Sequence, residues 1–121
     1  MNRKDLFACP FYFDKIELDP DKVNDAIKNT TCLHAMSVDE NILETNFKFL
    51  YDPIDKVVSK VMFELGFMKY SIFSSWITKT VIGYRHGLDH QHNNSFYSGI
   101  LYLTDNASPI IFRPVSYTHL R

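Results

Sequence analysis

Apolar and polar positions alternate along this chain with two different periods, and the change falls near residue 66. The opening stretch, Leu6 to Ile16, is dense in Phe and Tyr and predicts a strand. Asp19-Pro20 then reads as a helix cap followed by proline in the first turn, and Val23, Ala26 and Ile27 give the short helix an apolar stripe. Residues 30–50 carry no firm pattern, although Phe47, Phe49 and Tyr51 alternate as a strand does. Asp52-Pro53 repeats the cap-plus-proline start. Ile54, Val57, Val58, Val61, Met62 and Leu65 follow at helical spacing on one face, with Lys56, Ser59, Lys60 and Glu64 on the other and Gly66 as the stop. Met62 and Phe63 are assigned to the core or its edge.

Beyond Gly66 the period shortens to two. Trp76 to Ile82 alternates, which places Trp76, Thr78, Thr80 and Ile82 on one face, and a buried packing role is expected for Trp76. Gly83 and Gly87 bracket a turn, and Phe96 to Thr104 predicts a second strand. Asp105-Asn106-Ala107-Ser108 is a turn signal, and Ser108 to Phe112 begins a third strand. Helices first and consecutive strands afterwards predict an α+β chain whose second half is a sheet or barrel.

Composition narrows the function classes. The 121 residues are the length of one domain, and 45% apolar against 22% charged residues, without repeats or low-complexity tracts, is the make-up of a folded protein. Ten Phe and seven Tyr reinforce the β-rich reading. Thirteen basic residues against fourteen acidic ones leave no electrostatic footprint for nucleic acid or an anionic membrane. The basic start at Arg3 and Lys4 has the charge of a signal peptide, but the apolar stretch after it is short and broken by Pro10. No run nears the roughly 20 apolar residues of a membrane span. Cys9 and Cys32 stand in unlike contexts, so free thiols in a reducing cytoplasm are expected.

The candidate chemistry lies in the turn region. His86, His90 and His92 fall within seven residues. Residues two apart on a strand share a face, so His90 and His92 can present two imidazoles to one point. Imidazole suits iron, zinc, copper or nickel. His86 shares that parity but precedes Gly87, which interrupts the strand, and Asp89 is a rival ligand on the other face. Asn93, Asn94 and Ser95 offer polar partners to the ligands. On spacing alone, an exposed histidine cluster without function fits equally well.

Three segments carry more specificity together: Ser75-Trp76-Ile77-Thr78-Lys79-Thr80, then His90-Gln91-His92-Asn93-Asn94-Ser95, then Ser98-Gly99-Ile100-Leu101-Tyr102-Leu103. Their combination resembles a family of 2-oxoglutarate and Fe(II)-dependent oxygenases of bacteriophages and marine bacteria, distantly similar to prolyl hydroxylases. The likeness is good over residues 70–114 and loose before them. It implies the N-terminal part of a double-stranded β-helix, a jelly-roll or cupin-like barrel with packed helices. It also implies Fe(II) held by His90 and His92, with 2-oxoglutarate as cosubstrate for hydroxylation of an unnamed substrate. The wider superfamily has a carboxylate where His92 stands, which weakens His92 relative to His90 and leaves open a cupin-type metal site that does not use 2-oxoglutarate. Tyr102-Leu103 matches a prolyl-hydroxylase Tyr-Leu, so Tyr102 is a candidate contact for the distal carboxylate of 2-oxoglutarate; a tyrosine filling the barrel with its hydroxyl at the rim fits as well.

The family also requires a distal histidine and, about ten residues later, a basic clamp, and neither is recognisable. His119 and Arg121 are two apart, the wrong spacing for that pair, and His119 follows His92 too closely for the intervening strands. Residues 115–121, Val-Ser-Tyr-Thr-His-Leu-Arg, match a transposase sequencing adapter translated in frame. The expectation is therefore a truncated oxygenase-like domain over 1–114 with an adapter tail, an incomplete barrel, poor solubility from its open edges and no activity as it stands. The rival class is a non-enzymatic phage β-barrel module that keeps the fold without metal.

Overall fold

Asp19 opens the first helix, α1 (Pro20–Lys28), as the sequence predicts: its carboxylate accepts from the backbone N–H groups of Asp21 and Lys22 at 3.0 and 3.4 Å, and Pro20 occupies the first turn, where no N–H is needed. Val23 and Ala26 are buried and Ile27 half-buried, the stripe read from spacing. The computed structural model describes residues 1–2, 10–79, 92, 94–105 and 110–112. It falls into two units, residues 1–87 and 88–121.

In the first unit a small antiparallel hairpin follows α1. Strands β1 (Cys32–Leu33) and β2 (Met36–Ser37) pair Cys32 with Ser37 and Leu33 with Met36. The two residues between them, His34 and Ala35, both have positive φ, 51° and 69°. Two such residues in a two-residue loop match the right-handed twist of the flanking strands. Val38 N–H donates to the Thr31 carbonyl at 2.9 Å and extends the pairing by one step. Cys32 is a half-buried free thiol, whereas Cys9 lies outside the described residues.

Two 3-10 helices, Ile42–Glu44 and Lys48–Leu50, lead into the long helix α2 (Tyr51–Glu64). Phe47, Phe49 and Tyr51 therefore do not form a strand. Among the described residues Phe47 is the most completely buried large side chain, Leu50 three positions on is also buried, and Tyr51 already belongs to α2. Asp52 is likewise inside the helix instead of capping it; Leu50 holds the cap position without a side-chain bond. The stripe on α2 is as predicted, half-buried from Ile54 to Leu65 with Met62 buried, and Lys56, Ser59, Lys60 and Glu64 exposed. Phe63 is a correction, since it is 84% exposed. Gly66, at φ 86°, ends the helix: Phe67 N–H reaches back to the Met62 carbonyl at 2.8 Å and Gly66 N–H to the Phe63 carbonyl at 3.0 Å. This paired closure needs a left-handed residue at Gly66, where a side chain would be strained.

The chain then returns. Tyr70 donates its hydroxyl to the Asp55 carboxylate on α2. Residues 75–79 dock against the hairpin and the first 3-10 helix through bridges from Thr78 to Met36 and from Ser75 to Asn41. Ser37 N–H donates to the Ile77 carbonyl at 2.9 Å, and the Ile77 N–H donates to the Ser37 hydroxyl at 3.1 Å. Ile42 N–H and Ser75 N–H exchange similar bonds with the Ser75 and Glu40 carbonyls at 3.1 and 2.8 Å. Ile77 is buried and Trp76 is 37% exposed, so the inward face has the opposite parity to the predicted one and Trp76 is not a buried residue.

The described part of the N-terminal segment, residues 10–19, carries no strand, which removes the described part of the strand expected from Leu6 to Ile16. In the second unit the described residues of the expected strands at 96–104 and 108–112 also carry none. The architecture among the described residues is mixed: two α-helices, two 3-10 helices and a two-stranded antiparallel sheet that does not close. No described helix is long and apolar enough to cross a membrane.

Candidate functional site

Of the residues expected to carry chemistry, His92 and Tyr102 are described, and both belong to the second unit. His86, Asp89, His90 and Asn93 lie outside the described residues, as do Thr80–Ile82, the turn glycines Gly83 and Gly87, and the tail 113–121 with His119 and Arg121. The expected pairing of His90 with His92 therefore has no geometry to measure.

His92 is exposed. Asn94 follows with φ 65°, a left-handed conformation that asparagine tolerates better than most side chains. Half-buried Ser95 turns its hydroxyl back onto the His92 carbonyl at 3.4 Å and stands 3.3 Å from the Ser98 hydroxyl. Both separations are long for O–H···O bonds, so each contributes little alone. They bring the Ser95 side chain back to the backbone of His92. Of the asparagines and serine expected to support the ligands, Ser95 has a bond to the backbone carbonyl of His92.

Phe96 and Tyr97 follow with ring centroids 5.2 Å apart in a tilted arrangement. Gly99 has open space where a side chain would stand. Tyr102 is 46% exposed, between half-buried Leu101 and Leu103.

The first unit holds the stronger polar networks, and pattern reading did not single them out. Asp39 accepts from Asn41 N–H at 2.7 Å and from the Thr45 hydroxyl, and these two bonds hold its carboxyl below the usual aspartate range. Partial burial and the bond to Asp55 push the Tyr70 phenol up to about 12. Both are local braces. Among the described residues no three His, Cys, Asp or Glu side chains are grouped to hold a metal, and no buried side-chain nitrogen or oxygen lacks a hydrogen-bond partner.

Two shallow depressions occur in the first unit. One, of about 240 Å3, lies between α1 and Asn46 and Phe49; the other, of about 510 Å3, lies between residues 14–17 and α2. Neither includes a residue of the expected site. Comparison of the chain with protein-family models, with curated proteins and with solved structures finds no match.

Proposed function

We propose that the chain carries the first part of a non-haem iron site of the 2-oxoglutarate-dependent oxygenase type, with His90 and His92 as metal ligands and Tyr102 as a contact for the cosubstrate's distal carboxylate. One observation carries the reading: two imidazoles two residues apart, followed by the polar turn Asn93-Asn94-Ser95 and by the segment from Ser98 to Leu103. The donor set fits the group, because neutral imidazoles ligate Fe(II) and a pair of them leaves positions for a chelating cosubstrate. The exposure of His92 and the positive φ at Asn94 are compatible with that role.

Iron(II) bound there supplies oxygen activation coupled to decarboxylation of 2-oxoglutarate to succinate, and so hydroxylation of a substrate C–H bond. This chain's own residues bind and orient. His90 and His92 donate ring nitrogens and must be neutral to do so, so metal affinity falls on acidification. Tyr102 offers a hydroxyl to a carboxylate. The reading requires a double-stranded β-helix as scaffold, which is the finer form of the α+β architecture.

The test is anaerobic titration of the chain with Fe(II), and with Co(II) as a spectroscopic stand-in, in the wild type, His90→Ala, His92→Ala and the control His86→Ala. One metal per chain is expected, weakened at least about tenfold by either ligand substitution and unchanged by the control. Binding that survives both ligand substitutions sinks the proposal. A second reading rests on the imidazole at position 92, where a carboxylate is usual in the superfamily: a cupin-type metalloprotein without 2-oxoglutarate. Metal binding that is unaffected by 2-oxoglutarate and by Tyr102→Phe favours it. No metal binding in any variant leaves the non-enzymatic module.

A further inference from the structure

We draw no further inference here: the strongest candidate, the groove of about 510 Å3 between residues 14–17 and α2, is lined by Lys15, Lys56 and Lys60 and by Asp14, Glu17 and Asp52, whose charges cancel and select no class of ligand, and nothing in the structure shows what occupies it.

Discussion

The ammonium group of Lys79 stands 2.8 Å from the carbonyl oxygen of Ile27, 52 positions earlier in the chain, at the C-terminal end of α1. The last carbonyls of a helix carry its negative dipole end, so a cation there adds a charge-assisted bond to a carbonyl that also accepts the Thr30 N–H at 3.3 Å. Lys79 also reaches the Thr30 carbonyl at 3.5 Å, and its backbone N–H donates to Ala35 at 2.7 Å. Asn46 completes the arrangement, donating to the Asn29 carbonyl and the Thr30 hydroxyl at 3.0 and 3.1 Å. One lysine thus ties α1, the hairpin and the returning segment together. Replacing it with methionine keeps the aliphatic stem and removes the donors, for a loss of about 1–2 kcal/mol. Urea unfolding of Lys79→Met checks this, with Lys79→Arg recovering part of the loss. A midpoint equal to wild type would show that the bond contributes nothing in solution.

The hairpin predicts a gain. Ala35 sits at φ 69°, where an L side chain costs roughly 1–2 kcal/mol, while glycine costs roughly 0.5–1 kcal/mol in chain entropy. Ala35→Gly is therefore stabilising by about 0.5 kcal/mol, and Ala35→Val is destabilising because a branched side chain tolerates this conformation least. Thermal melts of the two variants should move in opposite directions. If both lower the midpoint, the two-residue turn does not form as described.

Legibility followed local signals. The caps at Asp19 and Gly66 and the stripes on α1 and α2 could be read because each depends on neighbours within one or two turns. The hairpin was hidden because His34-Ala35 lacks the Asn-Gly or Asp-Gly signature of its turn. The aromatic alternation at Phe47, Phe49 and Tyr51 gave no firm element for a different reason. A 3-10 turn running into a helix buries Phe47 and Leu50, three apart, and period two cannot represent that. At Trp76 and Ile77 the alternation was visible but its sense was not, because parity fixes which residues share a face and leaves open which face turns inward. At the candidate site, the spacing of His90 and His92 was legible, and the turn after His92 at Asn94 was foreshadowed only as a polar loop.

The two titrating braces predict opposite pH limits. The Tyr70 pKa is raised, so the neutral phenol is the form that folding favours. Its contribution is fully present below the ordinary tyrosine value of 10.0 and is lost as pH rises from there toward about 12. The Asp39 pKa is lowered, so its contribution is present above 3.8 and is lost as pH falls below that value. In a spectrophotometric titration of phenolate absorbance, Tyr70 should ionise late, and Tyr70→Phe should delete that late step. Stability of Asp39→Asn should fall less steeply than wild type between mildly acidic and strongly acidic buffer. A Tyr70→Phe titration that superimposes on wild type would remove the bond to Asp55 from the account.

Phe47 and Phe63 offer the sharpest contrast, because the same truncation is made at 1% and at 84% exposure. Removing a buried phenylalanine ring forfeits its transfer free energy and leaves a cavity, together about 3–5 kcal/mol. A small domain has only about 5–15 kcal/mol in all, so Phe47→Ala should be partly unfolded at ordinary temperature. Phe63 projects from α2 into solvent, and alanine is the better helix former, so Phe63→Ala should stay within about 0.5 kcal/mol of wild type. Circular dichroism at the helical minimum, followed through denaturant, reads both. If Phe63→Ala proves as damaging as Phe47→Ala, the exposed side of α2 is covered in solution by a second copy. Size-exclusion chromatography across a concentration series then checks this, because self-association depends on concentration.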